Sequence, residues 1–550
     1  MKHVRVAATA LVAMALFAQP ALSAPPERGE DDCTAVLACG EDLAAAQALE
    51  AKMADHLWYG LALPIDYGTA ERVPGDVASI GPAWGDAGLW SGTYLAAESY
   101  RYALARAKST SGSHRGQWKQ EQEAAKERID TLLSQMDLRT NIATSWHTSL
   151  SPTVGSGTPP TVSYGGGIVQ GEAGMLMYSC APSDAPAGRR MAPSPDVRGP
   201  FHWNGIPGRP SRLAQPAGDY VCEASTTRDT YAGVLFGMLT AYDLVAPDDV
   251  AARDLIRDDL LAMADFLLKY GWNYAHPHGD VAVPPFGDVY DNSVTPIMVI
   301  SPIYRLGVSQ AALHVATTGS TEATKWTAVY HEELATQLGS DVVANAVNDP
   351  TPTAGYYGWN LAHLMYSSVI RLAQGPTRTA LVNNFSMIDR QTSDDDNAWF
   401  ETVTYAMGGE PGRLAKAVTH LRQWRDYRAN TDRGGVIDNR VGCGTVRQCV
   451  PQDQYDLIFD TPAGEVRQTV PGSSSDLRSV NPLPVANRVP TDFLWQRSPF
   501  TEMVGSTAAN HEEPGIDYLL PYWMLRYNTE VSHPALSPLP TFAGPRYSGT

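Results

Sequence analysis

Apolar residues recur at three- and four-residue spacing along most of this chain, and that period commits it to helices packed on helices. The stretches "EDLAAAQALEAKMADHLWYG" (41–60), "AGLWSGTYLAAESYRYALARAK" (87–108) and "RGQWKQEQEAAKERIDTLLSQM" (115–136) carry it first. Residues 227–245 continue it. "APDDVAARDLIRDDLLAMADFLLKYGW" follows, with Pro247 and acidic residues at its start, as a helix N-terminus favours. Further helices are expected over 296–318, 322–338, 358–374, 376–390, 397–407, 410–428 and 515–527, which gives eleven or twelve, usually paired across short turns. Strand-like alternation is sparse and short. The expected class is all-α.

Two irregular regions interrupt the pattern, near 139–225 and 429–495. Both carry aromatic residues and cysteines, so neither has the composition of a linker between separate cores. Long loops inside a compact helical chain are more often functional than disordered. Residues 24–550 therefore read as one domain.

Residues 1–23 read as a signal peptide: Lys2 and Arg5, then the apolar "ATALVAMALFA", then "ALS" before Ala24. That run is too short for an ordinary transmembrane helix, and no later stretch approaches twenty uninterrupted apolar residues. The expectation is a secreted or periplasmic protein without a membrane partner. Losing the leader takes the formal charge from −18 to −20. An acidic surface of that kind argues against nucleic acid, whose binding needs cationic side chains to displace counterions. The six cysteines fall into neighbouring pairs, Cys33/Cys39, Cys180/Cys222 and Cys443/Cys449, and in an exported chain these favour disulfides. No C-x2-C spacing points to zinc.

The segment from Trp84 to Leu104 loosely echoes the one that opens at Thr226: an Asp near the helix start, small residues and aromatics, then a Tyr about fourteen positions on. The helix count, with Asp-headed, Gly/Ala-rich helices bearing Trp and Tyr, resembles the (α/α)6 toroid, or six-hairpin, fold of secreted glycoside hydrolases and polysaccharide lyases. The resemblance spans nearly the whole mature chain as architecture and matches no single family's motif. It implies a central cleft met by the ends of the inner helices, with a glycan as substrate.

Glycoside hydrolysis needs two carboxyl groups, one protonated for the leaving oxygen and one ionised. The candidates are Asp86 in "WGDAGLW", Asp229 in "TTRDTY", Glu401 in "NAWFETVTYAM" and Glu513 in "HEEPG". Asp288, Asp291, Asp394, Asp395 and Asp396 are further acids in clusters, and Asp291 is taken as substrate-binding. Helix capping competes with catalysis at each, and for Asp229 it is the heavier reading. Thr226 or Thr227 would cap as well, however, and Arg228 would hold the Asp229 carboxylate ionised as a base. Gly233 and Gly237 share the face of Asp229 and would let its helix approach a neighbour closely.

Trp84, Trp90, Tyr231, Trp359, Trp399 and Trp495 are candidates for stacking on sugar rings. Arg228, Arg497, Asn360 and His363 are polar candidates beside them. A lyase would instead use Asn360 and His363, or Asn384 and Tyr405, to neutralise a uronate and move its proton. A non-catalytic glycan-binding protein is the third possibility. His276, His278 and Asp280 in "YAHPHGD" supply too few ligands for a closed metal site, and "SDDDN" lacks the alternation of a calcium loop. No metal and no cofactor is expected. "HEEPG" is not a zinc-protease motif, and no G-x-S-x-G or nucleotide fingerprint occurs.

Overall fold

The computed structural model describes residues 36–38, 40–80, 86–110, 114–145, 147–154, 162–170, 173–186, 190–191, 197–223, 226–269, 271–272, 296–339, 356–408, 411–431, 435–438, 443, 447–461, 464–489, 491–501, 504–534 and 545–548. The leader, Cys33, Cys39, Trp84, His276, His278, Asp280, Asp288 and Asp291 lie outside them. Among the described residues the protein is mainly helical. Its helices are α1 (Gly40–His56), α2 (Ala87–Ser109), α3 (Arg115–Asn141), α4 (Arg228–Leu244), α5 (Val250–Lys269) and α6 (Pro296–Val315). They continue with α7 (Thr321–Gly339), α8 (Tyr357–Leu372), α9 (Gly375–Thr392), α10 (Ala398–Ala406), α11 (Gly412–Thr431) and α12 (Ile516–Tyr527). No helix among these is long and apolar enough to cross a membrane.

Successive helices pair as α2 with α3, α4 with α5, α6 with α7, α8 with α9 and α10 with α11. A second set of contacts runs from α2 to α4, α4 to α6 and α8, α6 to α8, α8 to α10, α10 to α12 and α12 back to α2. Helix α1 packs on α11 and α12. One apolar core runs through all of these, and Trp90, Trp326, Trp399, Trp495 and Trp523 are each below 2 % exposed within it.

The tightest crossing is α2 on α4, and glycine makes it possible. A Cβ on Gly92 would lie 2.1 Å from the carbonyl oxygen of Gly233, and one on Gly233 would lie 2.4 Å from that of Leu89. One turn on, a Cβ on Gly237 would meet the Gly92 oxygen at 2.3 Å. The backbones therefore touch, which carries the N-terminal ends of the two helices together. Gly233→Ala should lower stability by about 1–3 kcal/mol, the usual cost of overpacking a core, and a denaturant titration would read it. An unchanged midpoint would mean that the helices are not held this close.

Residues 41–60 do not form one helix. The helix stops at His56, and Leu57–Trp58 pairs with Leu61–Ala62 through a turn at Tyr59 and Gly60, both with positive φ (51° and 87°). A Cβ on Gly60 would lie 2.5 Å from the Thr131 carbonyl, so the turn is seated on α3. β-Structure occurs as two- and three-stranded pieces. In one of them Gly218–Glu223 lies between Ser179–Pro182 and Val197–Trp203, with Cys180 directly opposite Cys222. That pair is bonded, as is Cys443 to Cys449. In another, Ile65–Tyr67 lies between His511–Glu512 and Val77–Ile80.

Pro521 stands inside α12 rather than at its start. Proline has no N–H, so the carbonyl of residue 517 loses its partner within the helix. The Trp495 indole N–H takes that place, 2.6 Å from the Asp517 oxygen. A helix defect is thereby turned into a tie to the loop at 491–497.

Candidate acidic site at the helix heads

The first turn of α4 settles what Asp229 is for locally. Thr227 is the capping residue, its hydroxyl oxygen accepting from the Thr230 amide at 3.3 Å. Asp229 is left in the first turn with its carboxyl partly buried. At the head of α2, Asp86 occupies the capping position but its side chain makes no capping hydrogen bond. The Asp86 carboxyl is not spent on its helix, whereas that of Asp229 bonds its own backbone amide.

A third carboxyl, from a loop, is held beside the head of α2. Trp90 lies one turn along α2 from Asp86, on the same face. Its indole N–H donates to Asp492 Oδ2 at 2.9 Å, and its ring stacks on Phe493 with centroids 4.9 Å apart. The other oxygen of Asp492 accepts from Thr491 Oγ1 (2.6 Å), the Phe493 amide (3.0 Å) and Gln496 Nε2 (3.2 Å). Four donors thus fix Asp492 as an acceptor beside the head of α2.

The charges register the convergence. Burial pushes the Asp86 carboxyl up from 3.8 to about 6, the charges of Asp492 and Asp229 add to that, and Arg497 opposes it. Burial also raises Asp229, against the pull of Arg228 and of its own amide. Tyr357, at the head of α8, is raised by its burial and by Asp229, so that head adjoins α4. The cluster is therefore Asp86, Asp229 and Asp492, with Arg228, Tyr357 and Arg497 around it. It holds a carboxyl whose proton affinity is raised to about 6 beside an Asp492 side chain met by four donors.

A hydrogen-bonded chain ties the remaining heads together. Asn397 caps α10 through its oxygen, to Trp399 N (3.1 Å) and Phe400 N (3.2 Å), and its amide donates to the Trp495 carbonyl at 2.9 Å. Tyr356 Oη donates to Asp395 Oδ2 at 2.9 Å, and Arg488 Nη2 holds the Asp395 carbonyl at 3.2 Å. Burial raises Asp395 to about 7, with Tyr356 and Arg488 opposing. This acid serves the scaffold.

Other expected residues fall elsewhere. Glu401 is buried against α11, where Arg413 Nη1 reaches its oxygens at 3.1 and 3.0 Å while Nη2 holds Asp389 at 2.7 Å. Burial raises Glu401 to about 7 against the pull of Arg413. The pair braces α9, α10 and α11. Glu401→Gln should cost about 1–3 kcal/mol, the usual worth of hydrogen bonds to a charged group, since Arg413 loses one of its two buried carboxylates and keeps Asp389. Thermal unfolding would register that loss, and an unmoved midpoint would free Glu401 for another role.

Glu513 accepts from His511 Nε2 at 3.2 Å, and His511 Nδ1 bonds Asp66 at 2.8 Å. Flanked by both carboxylates, the His511 imidazole is raised to about 9. Trp90, Tyr231, Trp399 and Trp495 are all buried in the core, and Trp359 and Tyr357 are only partly covered. Arg228 is buried and Arg497 exposed. Asn360 is buried with neither amide atom bonded. His363 is stacked on Phe400 at 3.8 Å, donates from Nδ1 to the Trp359 carbonyl, and is lowered to about 3 by burial. Its setting is that of a neutral core histidine. Among the described residues no three His, Cys, Asp or Glu are grouped to hold a metal.

Asp492 was not singled out by the sequence, although it heads the aromatic segment "DFLWQRSPF". Its place depends on Trp90, four hundred residues away in the chain. No protein-family model, curated protein or solved structure matches this chain.

Proposed function

We propose that this protein is an exported glycoside hydrolase with an (α/α)6 architecture, and that Asp86 is its general acid. The observation that carries the reading is the close crossing of α2 on α4, which brings together the heads that bear Asp86 and Asp229, with Trp90 holding Asp492 beside them. Asp86 is raised to about 6 by burial and by the charges of Asp492 and Asp229. A carboxyl with that proton affinity donates to a leaving oxygen near neutral pH, while an adjacent carboxylate acts on the sugar or on water. Asp492, met by four donors, is the second carboxyl of the pair. Asp229 helps keep the proton on Asp86.

The architecture is supported by the helix contacts. Helices α2, α4, α6, α8, α10 and α12 contact one another in a closed sequence, with α3, α5, α7, α9 and α11 each paired to one of them and α1 packed on α12. Export is supported by the two disulfides and by the leader pattern in the sequence.

The test is a digestion screen of neutral and acidic polysaccharides and oligosaccharides with the purified mature protein. New reducing ends without ultraviolet-absorbing unsaturated uronate are expected. Unsaturated product would make the protein a lyase, and retention of glycan without any product would make it a binding protein.

A further inference from the structure

Behind the heads of α2 and α4 lies a buried cation with nothing to balance it. Arg139, near the end of α3, is 0 % exposed. Its Nη1 donates to the Tyr178 carbonyl at 2.7 Å, but Nε and Nη2 are buried without any partner. A Cβ on Gly88 would lie 2.9 Å from Arg139 Nη1 and 2.5 Å from Thr230 Cγ2, so the guanidinium is wedged against the first turns of both helices.

Those turns present positive dipole ends, that of α4 with its Thr230 amide already held by Thr227. On α2 the capping position contributes no side-chain acceptor. Thr140, next to Arg139, and Ser179, next to Tyr178, also have buried hydroxyls without partners. Arginine keeps its proton in proteins, and a lone buried charge is costly. Burial alone acts on this guanidinium, lowering it to about 10, and no carboxylate contributes. The guanidinium N–H groups at Nε and Nη2 lack an acceptor.

We infer that Arg139 and the first turns of α2 and α4 hold a small monovalent inorganic anion inside the protein. Two helix N-termini and unbonded guanidinium N–H groups are the chemistry that binds such an ion. Full enclosure of the side chain selects a halide-sized ion over an organic acid. The anion acts as a counter-ion that lets α2 and α4 close on Arg139. This assignment does not depend on the glycan reading.

The test uses the full mature chain and chloride. Melting temperature is measured against sodium chloride, with sodium gluconate holding ionic strength constant. A saturable rise of about 2–5 °C is expected, because an ion that binds the native state alone stabilises it by mass action. Arg139→Gln should melt without chloride dependence. Crystals soaked in bromide should show an anomalous peak within hydrogen-bond reach of Nε and Nη2, and this measurement on the unaltered protein decides the matter if Arg139→Gln does not fold. A flat chloride titration, or bromide absent from Arg139, overturns the assignment.

Discussion

Asp86→Asn is expected to remove nearly all turnover and, at neutral pH, to make the protein more stable. The two effects come from one property. The native state pushes the Asp86 carboxyl from 3.8 up to about 6, so it binds that proton more tightly than the unfolded chain does. Below about pH 4 both states are protonated and the wild type carries no penalty. As pH rises through about 6 the native state is forced to hold an ionised group beside Asp492 and Asp229, and stability is lost. The shift corresponds to about 2–3 kcal/mol above pH 6.

Asparagine cannot ionise, so the variant escapes that cost at pH 7 and gains nothing at pH 4. Loss of a general acid typically removes about 10²–10⁴ in rate. Thermal unfolding at pH 4 and pH 7, alongside turnover, checks both parts. A purely capping role would leave stability nearly unchanged at both pH values, since asparagine caps a helix as well as aspartate does. That outcome would end the case for Asp86 as the acid.

The sequence revealed the helices because a 3.6-residue period is a local property: 87–108 matches the observed Ala87–Ser109 to within a residue, and 115–136 starts with Arg115–Asn141 but stops five residues short. Cap chemistry was legible in the same way: two threonines ahead of Arg228 left Asp229 available, and Thr227 is the one used. Gly233 and Gly237 announced a close approach, although not that Gly92 of α2 would be opposite.

What was not legible was long-range. Trp90 and Trp495 look like any exposed tryptophans that might face a sugar. Their burial follows from Asp492 accepting one indole N–H and from Pro521 freeing a carbonyl for the other. Glu401 looked like an acid stranded in an apolar helix. Its partner Arg413 lies twelve residues on, across a turn, and three helices share it. Burial raised both Asp86 and Glu401, but with opposite surroundings: like charges around the first, an arginine on the second. The neighbouring charges separate a group poised to give up a proton from one locked in a brace.

The same logic sets the second large effect, at Asp492. On the glycoside hydrolase reading Asp492 takes the proton of the attacking water or forms the bond to the sugar, so Asp492→Asn should lower turnover by about 10³-fold or more. Asp492 is also the first charge that raises Asp86, after burial itself. Removing it lowers the proton affinity of Asp86, so the acid loses its proton at lower pH. The residual activity should therefore fall off at a more acidic pH than in the wild type. Asp229→Asn should move that alkaline limb in the same direction while keeping more of the turnover, since Asp229 acts on Asp86 only through its charge. Trp90→Phe keeps the ring stacked on Phe493 but withdraws one donor from Asp492, and should fall between the two. If Asp229→Asn proves the more damaging change, Asp229 is the catalytic carboxylate and Asp492 the group that tunes the acid.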